Sequence, residues 1–378
     1  EYEKLLSKGE SKDPKIKIKE NDLASVNFSS GTTGRPKGVM LLQKSWMNSF
    51  YNYVLNSPRL RKVEYTILHT LSFATAGGSA FLSILFLGVK NIIIRRFDVD
   101  EAVFLILKHK VNSLFINPSL FIVILDYCKS KDIHLPLDGI AIGTEPMPQI
   151  KFEEAIEFFG HIIQEGYGLA EVLPPISLMC SKDYLIINKE KSSINKKRLL
   201  SCGRPLEGVK LKVVDKDGKA LPPVKVGNII LKSTSISAGY WNNLNLNQKC
   251  YKDGWFYSSD FGYLDEDGYL YILGRKEDIL KEDRDEIIFS REVEEVFHRH
   301  PSVLEACVFA DPEGKIYACV SLKKKSPKIT SYELIGFCKE NLKKNAVPFA
   351  INIFPELPKN ASGKLDRKRI REEIFKNI

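Results

Sequence analysis

The sequence predicts an α/β protein in which a helix-covered, mostly parallel sheet precedes a small β region and a compact α+β tail. Short β-rich runs alternate with helix-length amphipathic segments in the first half of the chain. After about Ser201 the strands shorten and are separated by turn signals such as Asp217-Gly218. We therefore expect an α/β core over residues 1–200, a β subdomain of the same large domain over 201–274, and a C-terminal domain over 275–378.

Strands and helices are predicted in turn along the first region. The strands are short runs rich in β-branched and aromatic residues: Ala24–Phe28, Tyr65–Leu68, Asn91–Ile94, Ser113–Ile116, Gly139–Ile142 and His161–Gln164. The helices are longer amphipathic segments between them: Gln43–Leu55, Val99–Lys108, Ser119–Cys128 and Gln149–Phe159. This alternation favours parallel strands joined by crossover helices.

The two later regions have different patterns. The β subdomain is predicted to be mostly antiparallel, with strands Val209–Val214, Gly227–Lys232 and Tyr269–Leu273. A charged stretch, Arg275–Glu286, follows without a long apolar run. The tail then contains four predicted elements, which are Glu292–Arg299, Val303–Ala310, Ile316–Leu322 and Ser331–Leu342. They indicate a separate small α+β unit.

Composition excludes several classes of protein. Of 378 residues 44% are hydrophobic and 27% are charged, which is typical of a globular chain and excludes a mainly disordered one. No apolar run approaches the roughly 20 residues of a membrane-spanning helix. The longest, Phe81–Val89, ends at Lys90 and is interpreted as a buried helix. Seven scattered cysteines without a CxxC pair and the lack of a signal peptide indicate a reduced, cytoplasmic context.

The positive charge is concentrated at the C-terminal end. The chain carries a net charge of +9, and Ser321–Ile378 alone holds 14 Lys and Arg against 6 Asp and Glu. A basic end is compatible with nucleic acid, with a solvated surface, or with a phosphate-rich small molecule. No helix-turn-helix, RNA-binding motif or aromatic–basic interleaving is present, so we expect no nucleic-acid partner.

A glycine- and hydroxyl-rich loop directly follows the first predicted strand. The run Ser29–Gly38 reads SSGTTGRPKG. Its glycines allow close approach of the backbone to a ligand, its hydroxyls and exposed N–H groups suit an anion, and Lys37 adds a positive charge. Because Gly38 follows Lys37, the run differs from the GxxxxGK[ST] loop of nucleoside triphosphatases. The composition predicts a polyphosphate site.

Together with this loop, several later motifs resemble the adenylate-forming superfamily over essentially the whole chain. The superfamily contains acyl-CoA synthetases, 4-coumarate-CoA ligases, firefly luciferases, fatty-acyl-AMP ligases and peptide-synthetase adenylation domains. The later motifs occur in the family's order: Gly166–Glu171 (GYGLAE), Gly203–Pro205 (GRP), Ala238–Trp241 (AGYW), Gly254–Asp260 (GWFYSSD), Gly274-Arg275 and Leu357–Arg367 (LPKNASGKLDR). The ordered set is much more specific than any one motif.

The resemblance implies an enzyme that joins a carboxylic acid to ATP, releases pyrophosphate and passes the acyl group to a thiol. It implies the large domain and the mobile C-terminal domain of acyl-adenylate synthetases. A fatty or aromatic acid, ATP, magnesium and CoA are the expected small molecules, and a phosphopantetheinyl carrier protein is the alternative acceptor. A non-catalytic or truncated relative that only binds nucleotide is the other alternative, since only 28 residues precede the loop.

Roles for individual residues follow from the same resemblance. Lys364 and Glu171 are the implied catalytic residues, Glu171 also as the magnesium ligand, and Glu277 is the implied hinge. The implied ATP and AMP contacts are Ser30, Gly31, Thr32, Thr33, Gly34, Lys37, Gly143, Thr144, Glu145, Pro146, Tyr167, Gly168, Asp260 and Arg275.

Departures from the family pattern favour particular alternatives. Ala170 replaces a usual threonine, as in many fatty-acyl-AMP ligases, and Lys281–Glu286 lacks the glycine usual where backbone meets pantetheine. Phe73 stands where many members have histidine near the acyl group, which suits an apolar acid. Ser259 and Asn228 replace a usual glycine and glutamate.

Overall fold

A computed structural model describes most of the chain. The described residues are 1–9, 12–13, 15–29, 36–56, 65–74, 76–179, 183, 198–283, 286–323, 326–327, 329–360 and 364–375.

The chain begins with a short helix and a hairpin. Helix α1 (Tyr2–Leu6) precedes β1 (Leu23–Ser29), which pairs antiparallel with β2 (Lys37–Leu42), and α2 (Gln43–Asn56) follows. The predicted strand Ala24–Phe28 therefore exists, but it forms a two-stranded sheet and is not part of the main sheet. Strand β2 is not evident from the sequence, because it begins within the glycine-rich run and only its last four residues are apolar.

A seven-stranded sheet forms the centre of the large region. Its strands are β3 (Thr66–His69), β4 (Lys90–Ile93), β5 (Ser113–Ile116), β6 (Gly139–Ile142), β7 (Ile163–Tyr167), β8 (Ser177–Met179) and β9 (Arg204–Pro205). Their order is β4-β3-β5-β6-β7-β8-β9. The pairings from β4 to β7 are parallel, and those of β8 with β7 and β9 are antiparallel. The predicted α/β class with a mostly parallel sheet is confirmed.

Crossover helices cover this sheet. They are α3 (Ala76–Leu85), α4 (Val99–His109), α5 (Pro118–Lys131) and α6 (Gln149–Phe159). The side chains of Asp98 and Asn117 cap α4 and α5 by accepting hydrogen bonds from the first-turn backbone. Apolar side chains of α4 to α6 and of the strands form one large core, in which Phe121 and Phe152 are almost completely buried. This packing fixes the strand ends.

The interpretation of Phe81–Val89 as a buried helix is wrong in extent and in burial. The helix spans Ala76–Leu85, and the chain then turns. Leu82, Leu85 and Phe86 are exposed because α3 buries only one face, which consists of small residues and Ile84. None of the described helices is both long and apolar enough to cross a membrane.

The next region is an antiparallel sheet, as predicted. It contains β10 (Val209–Val214), β11 (Gly227–Ser233), β12 (Tyr251–Lys252), β13 (Trp255–Leu264) and β14 (Leu270–Arg275), with α7 (Leu244–Cys250) before β12. The longest strand, β13, pairs with β11, β12 and β14. Strand β13 is not evident from the sequence, because its glycine and serine residues interrupt the alternation of apolar and polar side chains.

The tail is an α+β unit. A 3-10 turn (Lys276–Asp278) leads into the hairpin β15 (Ile279–Glu282) and β16 (Ile287–Phe289). The remaining elements are α8 (Ser290–Arg299), β17 (Val303–Ala310), β18 (Ile316–Leu322), α9 (Ser331–Asn341), a 3-10 turn (Lys344–Ala346), β19 (Ala350–Phe354) and α10 (Arg367–Phe375). Strand β18 pairs antiparallel with β17 and parallel with β19, and the helices enclose a separate apolar core.

Candidate functional site

A pocket opens at the carboxyl ends of the parallel strands. Gly143 and Thr144 follow β6, Tyr167 ends β7, and Phe115 and Leu178 contribute apolar surface. The pocket holds about 640 Å³ of empty space, counting the part open to solvent. Crevices at this edge of an open α/β sheet are where ligands bind in such folds, because the connecting loops diverge there.

Gly168 lines this pocket at a position that leaves no room for a side chain. A Cβ atom placed on Gly168 would lie 2.3 Å from the side chain of Pro174, which is far inside van der Waals contact. The close approach lets the segment after β7 fold back along the pocket wall. The predicted residue Gly168 therefore has a packing reason to be glycine, whether or not it also contacts a ligand.

Tyr167, Asp260 and Arg275 form a polar group beside the pocket. The Tyr167 hydroxyl donates a hydrogen bond of 2.5 Å to Oδ2 of Asp260, and Arg275 Nε lies 3.4 Å from Oδ1. Asp260 and Arg275 face each other as register partners in β13 and β14. Burial raises the pKa of Asp260, and the hydrogen bond from Tyr167 and the charge of Arg275 oppose that rise. The buried carboxylate of Asp260 thus has two polar partners, the hydroxyl of Tyr167 and the guanidinium of Arg275.

Asn228 supports the strand that carries Asp260. Its amide donates to the carbonyl oxygens of Ser258 at 2.6 Å and Asp260 at 3.2 Å. The pairing of β11 with β13 shifts register between Asn228 and Ile230, so strand pairing is irregular there. The side chain of Asn228 provides donors to two carbonyl groups of the shifted segment. From the sequence, Asn228 is recognised only as a replacement of a usual glutamate, and no local pattern indicates this supporting role.

Glu171 and Lys37 meet around one tyrosine. The Tyr240 hydroxyl donates to Oε1 of Glu171 at 2.8 Å, and Lys37 Nζ lies 5.8 Å from the centre of the same ring. Glu171 follows β7, whereas Lys37 begins β2, so residues distant in sequence converge here. Tyr240 belongs to the AGYW motif, which was the available signal for a functional residue, although no role was predicted for it.

Lys364 extends from the tail to the pocket. Its Nζ atom donates to the carbonyl oxygen of Thr144 at 2.6 Å. Burial and the charge of Arg275 lower the pKa of Lys364, and the opposite charge of Glu145 counteracts them. Glu145 in turn accepts hydrogen bonds from the hydroxyl and backbone N–H of Ser119, at 2.8 and 3.3 Å. The structure therefore brings Lys364 beside the predicted loop Gly143–Pro146.

An ion pair secures the Lys364 segment to the core of the tail. Nη2 of Arg367 donates to both carboxylate oxygens of Glu294, at 2.7 and 2.8 Å. Arg367 Nη1 also donates to the carbonyl of Val308, whose N–H donates to Glu294. Arg367 begins α10, and Glu294 lies in α8, so the pair joins two elements of the tail.

The remaining predicted residues lie in varied places. Gly143 and Thr144 line the pocket, whereas Pro146 is exposed on the same loop. Glu277 lies exposed in the 3-10 turn between β14 and the tail. The predicted phosphate contacts Ser30, Gly31, Thr32, Thr33 and Gly34 lie outside the described residues, between β1 and β2.

Two family models match successive parts of this chain. The model described as AMP-binding enzyme matches residues 1–241, and the model described as AMP-binding enzyme C-terminal domain matches residues 292–364. The chain belongs to the AMP-binding enzyme family. The predicted membership of the adenylate-forming superfamily is confirmed.

Named relatives and solved structures agree with this membership. The chain is 29% identical over 353 residues to a 2-succinylbenzoate–CoA ligase of Bacillus cereus, covering 93% of this chain and 70% of that protein. It also resembles the O-succinylbenzoate coenzyme A synthetase of Bacillus subtilis in complex with ATP and a magnesium ion, with 28% identity and a TM-score of 0.82. That match covers 97% of this chain and 74% of the solved one.

A more distant structure supports the fold alone. The amide bond synthetase of Marinactinospora thermotolerans is 23% identical, with a TM-score of 0.81, over 93% of this chain and 69% of that chain. The fold of an AMP-binding enzyme, with a large domain followed by a small one, is therefore confirmed.

Proposed function

We propose that this AMP-binding enzyme activates a carboxylic acid with ATP to an acyl-adenylate, releases pyrophosphate, and then transfers the acyl group to coenzyme A. The main support is Lys364 Nζ, which lies 2.6 Å from the Thr144 carbonyl at the edge of the pocket. A cation from the tail thus reaches the loop that the family resemblance assigns to the nucleotide. The similarity to CoA ligases supports the same reaction.

In the first step, a carboxylate oxygen attacks the α-phosphorus of ATP. The new bond joins that oxygen to phosphorus, and the bond from the α-phosphorus to the bridging oxygen breaks, so that pyrophosphate leaves. Two anions must approach each other, and positioning and charge neutralisation therefore lower the barrier. The ammonium of Lys364 supplies a positive charge at this point.

The nucleotide is held by residues from several elements. Thr32, Thr33, Gly34 and Lys37 bind the β- and γ-phosphates, and Ser30 and Gly31 contact the nucleotide from the same loop. Tyr167 packs on the adenine, Asp260 accepts hydrogen bonds from the ribose hydroxyls, and Arg275 contacts ribose or phosphate. Asp260 is 5% exposed and already faces Arg275, so the ribose contact is made by a fixed carboxylate.

Glu171 fits a magnesium ion that accompanies the phosphates. Its half-buried carboxylate uses one lone pair for the hydrogen bond from Tyr240 and retains capacity for a hard cation. Magnesium commonly takes only one or two protein carboxylates and completes its shell with water and phosphate oxygens. When bound, the ion would neutralise phosphate charge, and Glu171 would supply a carboxylate ligand to it.

The acid is fatty or aromatic. Among the described residues that line the pocket none is charged, and Tyr53, Ala76, Phe115 and Leu178 offer apolar surface. Burying an unpaired charge is costly, whereas an apolar acyl group gains from leaving water. Phe73 lies near Ala76 in sequence and stacks on Phe81, which adds apolar surface beside α3.

Transfer of the acyl group requires the tail to move. Glu277 is the proposed hinge because it lies in the turn that links β14 to the tail and its side chain is exposed. Such a motion withdraws Lys364 after adenylation and admits the thiol, as in other enzymes whose domains alternate between steps.

Carboxylate-dependent exchange of pyrophosphate into ATP tests adenylation. We expect exchange with a fatty or aromatic acid, and we expect Lys364→Ala to reduce it by about 10²- to 10³-fold. Lys368→Ala is the matched control, since this lysine is exposed on the same segment. Equal rates in Lys364→Ala and wild type, or no exchange across a broad panel of acids, would refute the proposal.

Product analysis with CoA and with a phosphopantetheinyl carrier protein tests the acceptor. An acyl-CoA product supports the proposed second step. An acyl-carrier product without acyl-CoA would favour the carrier alternative, which Ala170 motivates. Tight binding of a non-hydrolysable acyl-adenylate mimic without turnover of any acid would instead favour a role in nucleotide binding.

A further inference from the structure

Helix α8 of the tail faces the large domain with two residues of opposite charge. Arg291 and Glu295 are four positions apart, so their side chains lie on the same face of the helix. Arg291 Nε lies 3.9 Å from Oε1 of Glu295, and the two side chains are only 16% and 18% exposed. The neighbouring Glu294 pairs instead with Arg367 inside the tail. One helix therefore carries a pair that stabilises the tail and a second pair at the contact with the large domain.

Glu295 completes the N-terminus of a helix in the large domain. Helix α6 begins at Gln149, and its N-cap residue Pro148 makes no side-chain cap. The backbone N–H of Gln149 instead donates to Oε2 of Glu295 at 3.2 Å. The first N–H groups of a helix have no partner within the helix, and the helix dipole favours a carboxylate there. The tail thus supplies the acceptor that the side chain of Pro148 cannot.

Arg291 contacts the last strand of the large domain. Its Nη1 atom donates to the carbonyl oxygen of Ile272 in β14 at 2.6 Å. The register of β13 with β14 shifts beside Gly262, the partner of Ile272, so strand pairing is irregular there. A hydrogen bond from a charged donor is stronger than one between neutral groups. Because β14 leads into the turn that contains Glu277, this bond spans the proposed hinge.

These contacts belong to the same docked arrangement as the hydrogen bond between Lys364 and Thr144. That bond, of 2.6 Å, reaches the loop between β6 and α6, and Gln149 begins α6 at the end of the same loop. The tail has its own apolar core, so it can move as one body relative to the large domain. A rotation that withdraws Lys364 then also breaks the bonds of Arg291 and Glu295.

We propose that Arg291 and Glu295 are positioning residues that hold the tail docked, with Lys364 at the pocket. The proposal rests on the proposed function for its catalytic consequence, because the docked state is the one in which Lys364 meets the carboxylate and the α-phosphate. Release of both contacts frees the tail for the transfer step. The two side chains therefore set the fraction of molecules that are ready for adenylation.

The docked state can be measured without turnover through the reactivity of Lys364, which is half-buried where it contacts the loop. An amine-selective reagent is applied to the full chain, and modification of Lys364 is followed by peptide mass spectrometry. We expect Arg291→Ala and Glu295→Ala to raise its rate by about tenfold or more, since each removes a hydrogen bond to a charged group. Glu295→Gln keeps an acceptor for the N–H of Gln149 and should raise the rate less.

Three controls separate undocking of the tail from loss of its fold. Arg299→Ala, in the last turn of the same helix and exposed, should leave the modification rate of Lys364 unchanged. Lys368 is exposed near Lys364 and should react equally in all variants. Cys338 is completely buried in the core of the tail and should stay protected from a thiol reagent. Unchanged modification of Lys364 in either alanine variant would overturn the proposal, and so would exposure of Cys338 together with Lys364.

The same variants connect docking to the two half-reactions. Acid-dependent pyrophosphate exchange should fall in Arg291→Ala, whereas transfer from added acyl-adenylate to CoA should be at least as fast as in wild type. Equal losses in both steps would overturn the positioning role, since general damage to the enzyme affects both. Wild-type protein that exchanges no pyrophosphate with any acid would overturn the proposed function, and the modification of Lys364 would still decide whether the pair docks the tail.

Discussion

The hydroxyl of Tyr167 donates a 2.5 Å hydrogen bond to Asp260, which joins the last parallel strand of the main sheet to the longest strand of the neighbouring antiparallel sheet. Both side chains are at least nine-tenths buried. A buried carboxylate needs such donors because water cannot supply them. The bond thus links the two sheets at the place proposed for the nucleotide.

Tyr167→Phe removes this donor and leaves the buried carboxylate of Asp260 with one hydrogen bond fewer to offset the cost of its desolvation. We expect a loss of about 2 kcal/mol in the free energy of unfolding, typical of a hydrogen bond to a charged group, and weaker binding of ATP. Urea unfolding and calorimetric titration with ATP measure the two effects. Tyr257→Phe makes the same chemical change on the strand of Asp260 and should alter neither. Wild-type stability in Tyr167→Phe would contradict this account.

Asn228→Asp tests the support of the shifted segment in β13. Aspartate keeps the shape of asparagine but cannot donate to the carbonyl groups of Ser258 and Asp260. We expect a loss of about 2 kcal/mol in unfolding free energy and a higher KM for ATP, because Asp260 is displaced. The control Asn352→Asp, in β19, places the same substitution in the tail. An unaltered KM in Asn228→Asp would show that the segment holds its position without the amide.

Glu165 makes stability depend on pH. It is buried in β7 near Arg291 and Glu295 of the tail, and burial raises its pKa from 4.5 to about 7. Between these values the folded state keeps a proton that the unfolded state has lost, so stability falls as the pH rises through this window and remains lower above it. A shift of this size corresponds to about 3 kcal/mol.

Glu165→Gln removes this titration and keeps an acceptor for the N–H of Met147. We expect the variant to be more stable than wild type at pH 8, by about 3 kcal/mol, and equally stable at pH 4. Denaturant unfolding at several pH values measures the difference, with Glu157→Gln on the exposed side of α6 as the control. A constant difference between variant and wild type at every pH would rule out the titration of Glu165 as its cause.

Arg367→Gln should destabilise the tail. It leaves the buried carboxylate of Glu294 with the N–H of Val308 but without the guanidinium nitrogen that donates to both of its oxygens. We expect a loss of about 3 kcal/mol in unfolding free energy, since an uncompensated buried charge is costly. Lys368→Gln, next in sequence and exposed, should change it by less than about 0.5 kcal/mol.

A double-mutant cycle with Glu294→Gln isolates the interaction between the two side chains. The double variant should recover part of the stability lost in Arg367→Gln, because the buried charge is then absent. Additive losses in the cycle would show that the two residues act independently and that the ion pair does not hold the Lys364 segment.

Local sequence determined the class of the fold and many of its elements. Ser113–Ile116, Gly139–Ile142 and Val303–Ala310 were predicted with the bounds that the structure gives, because short apolar runs flanked by turns have few alternatives. The motifs likewise determined the family. Strands with irregular patterns, such as Trp255–Leu264, could not be recognised because glycine and serine interrupt their alternation.

The tertiary structure alone decided which predicted residues act on each other. Lys364 and Thr144 are 220 positions apart, and only the docking of the tail against the loop after β6 brings them into contact. In the same way, Tyr240 contacts both Lys37 and Glu171 only because β2 and the segment after β7 converge in the folded chain. Periodicity reports the burial of one residue relative to its neighbours along the chain. The partner of a side chain depends on how distant elements pack, and no local pattern encodes it.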